Sequence, residues 1–314
     1  MWTEKLRATA RRLLEENRVA RVLAYAEGMD PAAPFPHLAA DPDQANRLVL
    51  NAFCAPNLAK YLLEYTDQEG STAVVLKGCD WLGLERLIQD HRVEREKVHV
   101  LGLPCPGMLD KKKLSRVFPE VREAALRDGG VEMWAGERKR TARREDVCLG
   151  RCLACRVPTP AAAAEFLGEP LAPAVAQPDF AAVEEIEKRP TEERRDYWTE
   201  QFSRCLRCLA CRQVCPACNC RSCSLDSEAP RWLSRATGPS ANQMFHFIRA
   251  WDVAGRCVDC QECERVCPMD IPLMRLNRKL MRDVGELFAI PDAHVPRDAE
   301  PLGIFRPDDP EEFE

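Results

Sequence analysis

An α/β module followed by a mainly α-helical domain is the fold class the sequence predicts, and three observations predict it. Two apolar, β-branched runs, Thr72–Lys77 and Val98–Leu103, flank a helical pattern in the first half. A stretch rich in Ala, Pro and Glu, from about Pro158 to Pro190, then breaks the periodicity. Beyond it, cysteine-dense loops alternate with segments whose apolar residues recur at the helical period. The 314 residues suffice for two ordinary domains. The expected organisation is a module over 1–175 with a small, partly parallel sheet, a linker at 176–190, a helical domain at 191–290, and a tail at 291–314 rich in Pro, Asp and Glu.

Taken in order, a charged helix is expected from Trp2 to Asn17, and a second from Pro56 to Tyr65 with Leu58, Tyr61 and Leu62 on one side. Thr72–Lys77 has the length and β-branching of a buried strand. Asp80 is placed to cap a helix bearing Trp81, Leu84, Leu87 and Ile88, and Val98–Leu103 supplies the second strand. Strand, helix and strand in about thirty residues make a βαβ unit, hence parallel pairing. The carboxyl ends of these strands carry Lys77-Gly78-Cys79-Asp80 and Pro104-Cys105-Pro106-Gly107, on the edge where open α/β sheets usually place their sites.

In the second half, Thr191 is expected to cap a helix through Tyr197, Trp198 and Phe202. Ser240 with Gln243 reads as a capping box for a helix with an apolar stripe of Met244, Phe245, Ile248 and Trp251, ended by Gly255. Pro272 opens a last helix bearing Leu273, Leu276, Leu280, Met281, Val284 and Leu287. Between these helices lie Cys205-x2-Cys208-x2-Cys211-x3-Cys215-Pro216 and Cys257-x2-Cys260-x2-Cys263-x3-Cys267-Pro268. Each run matches the bacterial ferredoxin pattern, in which three thiolates wrap one [4Fe–4S] cubane and the fourth reaches the other cluster. The expected sets are therefore Cys205, Cys208, Cys211 and Cys267, and Cys257, Cys260, Cys263 and Cys215. A zinc ribbon leaves the third cysteine, the x3 step and the trailing proline of each run without a reason. The long insert between the runs points to a helical ferredoxin and not a minimal one.

The remaining cysteines leave alternatives open. Cys148-x3-Cys152-x2-Cys155, with Cys105, suits a third [4Fe–4S] cluster; a thioredoxin-like pair at Cys152 and Cys155 and buried free thiols are the competing readings. Cys218, Cys220 and Cys223 read as alternative ligands, part of another metal site, or free thiols.

Composition narrows the class. A net charge of -5 argues against nucleic acid as principal partner. Lys111–Lys113 and the stretch Arg138 to Arg144 read as solvated surface, or as docking for an acidic protein. Seventeen cysteines in a long chain with no apolar leader point to metal ligation rather than a secreted disulfide scaffold. Arg11-Arg12 is followed by Glu15-Glu16 and no apolar stretch, against an export signal. No apolar run approaches the roughly 20 residues of a membrane span. The expected location is cytoplasmic. The five histidines show no ligand spacing and read as surface or core residues.

Three segments carry a family resemblance: NAFCAPNLAKYL (Asn51–Leu62), VVLKGCDWLGLERLIQDHRVEREKVHVLGLPCPGMLD (Val74–Asp110) and CLACRVPTP (Cys152–Pro160). They resemble the beta-subunit family of coenzyme F420-reducing hydrogenases and formate dehydrogenases, in particular its shorter iron–sulfur members fused to a ferredoxin domain. Residues 191–290 resemble the α-helical ferredoxins of succinate dehydrogenase iron–sulfur subunits and heterodisulfide reductase small subunits. The resemblance implies cluster roles for Cys105, Cys148, Cys152 and Cys155, leaves Cys54 and Cys79 as further candidates, and implies an electron relay. FAD is a candidate cofactor by resemblance, disfavoured because the chain turns so soon into the linker. The expectation is a non-catalytic electron-transfer subunit of a hydrogenase, formate dehydrogenase or heterodisulfide-reductase-like complex. The alternatives are a flavin-containing oxidoreductase reducing a deazaflavin or similar acceptor, and a thiol–disulfide oxidoreductase.

Overall fold

A computed structural model describes residues 2–127, 130–175, 179–234, 236–290 and 302; the expected tail thus lies, Leu302 apart, outside the described residues. In chain order the elements are α1 (Trp2–Glu15), β1 (Arg21–Ala26), β2 (Phe35–Ala39), β3 (Thr72–Leu76), α2 (Gly78–Gln89), β4 (Val98–Gly102), α3 (Lys111–Val117), β5 (Glu123–Arg127), β6 (Gly130–Ala135), β7 (Arg138–Ala142), α4 (Arg144–Val147), α5 (Gly150–Leu153), β8 (Glu165–Phe166), α6 (Ala181–Glu187), α7 (Thr191–Ser203), α8 (Ala210–Gln213), α9 (Pro239–Asp252), α10 (Glu262–Arg265) and α11 (Leu273–Leu287). They divide into two compact units, Met1–Leu84 with Asp90–Pro178, and Glu85–Gln89 with Asp179–Glu314.

The first unit is built on a five-stranded mixed sheet in the order β2-β1-β3-β4-β8. The expected βαβ unit sits at its centre, with Thr72 opposite Val98 and Leu76 opposite Gly102 in parallel register. Every residue of β1 and β3 is buried, as a sheet covered on both faces requires. Helix α1 buries Leu6, Ala10 and Leu13 completely; each leucine contributes about 1.5–3 kcal/mol of transfer energy. A second, antiparallel sheet, β5-β6-β7, closes another core around Leu109, Leu114, Phe118, Met133, Val147 and Cys148.

Several sequence expectations are corrected in this unit. The segment expected to be helical from Pro56 to Tyr65 forms only a 3-10 turn over Ala59–Glu64. Asp80 does not cap α2 from outside but lies in its first turn. The antiparallel sheet and β1 were not anticipated. Arg138 to Arg144, read as a surface stretch, is largely exposed but supplies the edge strand β7, which was not expected.

The second unit is helical. The residues expected to be linker carry α6, whose Glu187 pairs with Arg282 and with Lys279, 3.1 Å away, on α11. Helix α7 starts at Thr191 with Pro190, not Thr191, as its cap. Helix α9 starts on Pro239 behind Gly238, with no side-chain capping bond from Ser240; proline suits the first helical position, where its missing N–H is no loss. Among the described residues no helix is long and apolar enough to cross a membrane.

Candidate metal centres

The two cysteine runs of the second unit fold alike. In each, the middle cysteine is flanked by non-glycine residues in the left-handed region: Arg207 (φ 50°) and Leu209 (φ 61°) around Cys208, Asp259 (φ 51°) and Gln261 (φ 54°) around Cys260. Such conformations cost about 1–3 kcal/mol each and persist only where surroundings impose them. The surroundings are visible. Arg207 donates to Asn242 Oδ1 (3.1 Å) and to the Ser234 and Ala236 carbonyls, while Asp259 accepts a two-pronged pair from Arg278 of α11 at 2.9 Å. The turns aim peptide N–H groups at sulfur: Arg207 N donates to Cys205 Sγ (3.3 Å), and Asp259 N does the same for Cys257. Each loop then enters a one-turn helix, α8 or α10, carrying the third cysteine.

The fourth cysteine of each run lies with the other run. A cavity, here site I, is lined by Cys205, Cys208, Cys211 and Cys267, with Phe245, His246 and Ile271 around them. Burial pushes the Cys211 thiol up, and the neighbouring charges of Cys205, Cys267 and Cys208 add to it. In site II, burial takes Cys257 up to about 12, with Asp259 and then Cys215 adding. Cys260 and Cys263 are raised in the same way, each with Cys215 among the neighbours that act on it. Cys215 itself goes to about 5, chiefly through a hydrogen bond from Cys218. Thus Cys218 lies against site II, whereas Cys220 is exposed and Cys223 faces Arg212.

Helix α9 forms the wall beside both sites, and its buried face is not the apolar stripe expected. Met244 and Trp251 are exposed, while Asn242, Phe245, His246, Arg249 and Ala250 are buried. Asn242 donates to the Phe202 (3.1 Å), Cys205 (2.8 Å) and Thr237 (3.1 Å) carbonyls. His246 Nε2 lies 3.2 Å from Cys205 Sγ, its ring stacked on Phe202 at 4.5 Å. Burial, then the charges of Arg249 and Arg207, lowers His246 to about 3, so the imidazole is neutral. On α11, Asn277 Nδ2 makes the corresponding approach to Cys263 Sγ at 3.8 Å.

In the first unit, a third group of thiols gathers beyond the carboxyl ends of β3 and β4. Cys105 N donates to the Pro158 carbonyl at 2.8 Å, and Met108 N to Cys152 Sγ at 3.3 Å. Leu109 bridges to Cys148. Burial lifts Cys105 to about 12, with Cys152 and, more weakly, Cys155 adding; Cys148 is raised by burial, with Cys152 among its neighbours. Cys79 lies beside this group, raised by burial, then Asp80, with Cys105 also acting on it. Cys54 does not join them: its Sγ accepts from Asn51 N at 3.4 Å within its own turn. Basic side chains tie the loops, Lys113 to the Cys148 carbonyl (2.8 Å), Arg144 to that of Pro106, Arg151 to that of Ala55 (2.8 Å). The expectation that the two basic clusters are solvated surface is therefore corrected for Lys113 and Arg144.

The loop following Cys155 lies directly on the start of α2. A Cβ at Gly78 would fall inside the Val157 carbonyl. Gly78→Ala is accordingly expected to destabilise this unit at the upper end of the about 1–3 kcal/mol typical of overpacking, read as a lowered urea midpoint. An unchanged midpoint would mean that the loop does not pack there.

Comparison with known proteins bears first on the second unit. Residues 204–272 match the family model described as "4Fe-4S dicluster domain", a span that includes all eight run cysteines. The C-terminal region is a 4Fe–4S dicluster domain. The chain carrying that dicluster domain is also similar, over most of its length, to two curated relatives. One is the F420-dependent formate dehydrogenase subunit beta of Methanocaldococcus jannaschii, 24% identical over 87% of each chain. The other is the F420-dependent formate dehydrogenase 1 subunit beta of Methanococcus maripaludis, 25% identical over 85% of this chain and 84% of that one. Among solved structures, a chain of the F420-reducing [NiFe] hydrogenase complex from Methanosarcina barkeri matches with TM-score 0.40 and 18% identity. That match covers 50% of this chain and 62% of the other, less than two thirds of its length. In the dicluster domain, sequence reasoning missed Asn242, His246, Arg249 and Asn277. The one signal available was a run of polar residues at helical spacing between two metal motifs.

Proposed function

We propose that the chain is an iron–sulfur electron-transfer subunit of a larger redox complex, holding one [4Fe–4S] cluster at site I, one at site II and a third at Cys105, Cys148, Cys152 and Cys155. What supports the reading most is the interlocking of the two runs: Cys267 lines the cavity of the first run's three cysteines, and Cys215 stands among those of the second. Soft thiolates suit such clusters. The donor sets of sites I and II also fit in detail, since each has four thiols, a backbone N–H directed at sulfur, and a side-chain nitrogen of α9 or α11 near sulfur. A bound cubane supplies one-electron redox chemistry at a potential set by charge, hydrogen bonds to sulfur and exposure. The protein residues bind it, hold its ligands in strained turns, and keep water from Cys211, Cys263 and Cys267, all buried.

The partner that this reading favours is the catalytic subunit of a formate dehydrogenase, hydrogenase or heterodisulfide-reductase-like assembly. The similarity to relatives named as formate dehydrogenase beta subunits favours the first of these. The test is anaerobic purification with metal and sulfide quantified. Three cubanes require about twelve irons per chain and as many sulfides. About eight would remove the N-terminal cluster from the proposal, and zinc in place of iron would sink it entirely.

A further inference from the structure

A buried cation without an anionic side-chain partner among the described residues stands between site I and site II. Arg249 is 2% exposed on α9. One turn before it on the same face, Phe245 belongs to the buried cluster that holds Cys211, Cys263 and Cys267; one turn after it, Val253 belongs to the cluster that holds Cys215. Its Nη2 donates to the Cys211 carbonyl at 3.2 Å, while its Nε has no hydrogen-bond partner among the described residues. Among the described residues no carboxylate forms an ion pair with it, and the side chains that act on it most strongly are Cys263 and Cys215 of site II, Cys218, and Cys211 of site I.

An isolated charge in such a place costs several kcal/mol unless it is compensated. Arginine cannot shed its proton to escape that cost. The compensation must therefore come from negative charge at the sulfur sites on either side. Four thiolates with a cubane make an anion, and reduction adds one further negative charge with no bond formed or broken at the protein. A fixed positive charge nearby favours the more negative state.

We propose that Arg249 is the shared counter-charge of sites I and II, a positioning residue that raises the reduction potential of both. The inference rests on the cluster reading above. Its distinguishing feature is that charge, not shape, carries the effect, so lysine should largely replace arginine and methionine should not.

The test uses the full chain, loaded anaerobically with iron and sulfide, in redox titrations monitored by electron paramagnetic resonance. Arg249→Met is expected to lower both dicluster potentials so that, at a given applied potential, the reduced-to-oxidised ratio falls about tenfold, equivalent to about 59 mV for a one-electron couple. Arg249→Lys is expected to keep most of the wild-type potential. Unchanged potentials in a fully loaded Arg249→Met chain overturn the proposal, as do equal shifts in the two variants. Should the methionine variant fail to load, a lysine variant that loads at wild-type potentials supports the charge role. A lysine variant that also fails to load overturns it in favour of packing. A wild-type chain that takes up neither cubane sinks the underlying reading, and does so before any variant is compared.

Discussion

Alanine at Cys267 is expected to cost the chain the cubane at site I, although Cys267 belongs to the second run by sequence. The reason is spatial. Cys267 shares the cavity of Cys205, Cys208 and Cys211, and its Sγ accepts from Ile271 N at 3.5 Å, which fixes the sulfur in place. Each single variant, Cys205→Ala or Cys267→Ala, should lose about four irons, the content of one cubane. The double variant should lose no more than either single one, because both sulfurs serve one cluster; residues acting in one unit are not additive. Cys263→Ala combined with Cys267→Ala should lose about eight, despite their closeness in sequence. Iron and sulfide analysis with resonance spectra of the reduced protein reads the outcome. Additive losses from Cys205 and Cys267 would refute the crossed arrangement, and with it the main support for the proposed function.

Asp80→Ala is expected to destabilise the N-terminal unit by about 3–5 kcal/mol, the cost of leaving a buried partner charge uncompensated. Lys77 and Asp80 lie 2.8 Å apart with side chains 1% and 0% exposed. Lys77 Nζ also donates to Tyr25 Oη and to the Cys54 (3.0 Å) and Pro56 (3.2 Å) carbonyls. That network fixes the turn between β3 and α2, from which Cys79 projects. Burial would lower the Lys77 value, but Asp80 foremost, then Tyr25, Cys79 and Cys105, hold it well above the ordinary one. The sign follows: a raised folded value stabilises at full strength below the ordinary lysine value of about 10.4, and the contribution fades as pH climbs from there toward the raised value. Acidification to the mildly acid range should therefore leave the Lys77 contribution intact. Urea unfolding followed by circular dichroism checks the variant. A midpoint within experimental error of wild type would show that the pair contributes little. Lys77→Met with Asp80→Leu, which removes both charges, should recover much of the loss.

Different parts of the molecule were legible to different degrees. The two runs were readable because a ferredoxin-type motif draws three of its cysteines from one tight loop, so their spacing is local. The βαβ unit was readable because β3 is buried on both faces and therefore almost wholly apolar, TAVVL, with a helix-length gap before β4. By contrast, β7 reads RKRTA, with four exposed residues, and only its partner β6 makes it a strand. Strand β8 has two residues and exists through its register with Leu101 and Gly102. No local pattern announces either.

The largest miss was the direction in which α9 faces. An apolar-stripe rule assigns Met244, Phe245, Ile248 and Trp251 to the core, yet the helix turns Asn242, His246 and Arg249 inward. The rule assumes that a protein interior is hydrocarbon. Next to a group of cysteines it is not, and there an amide, an imidazole and a guanidinium are better solvated by sulfur and peptide carbonyls than an indole would be.

The expectation that Cys215 and Cys267 cross between the runs was legible in their ferredoxin-type spacing. So was the placing of Lys77-Gly78-Cys79-Asp80 and Cys105 at strand ends. What required three dimensions was every interaction between groups far apart in the chain: His246 with Cys205, Arg249 between two sulfur sites, Lys113 on the Cys148 carbonyl, and Gly78 beneath Val157. Such contacts arise from packing of elements already formed, and no periodicity along the chain records which polar residue a neighbouring sulfur will hold.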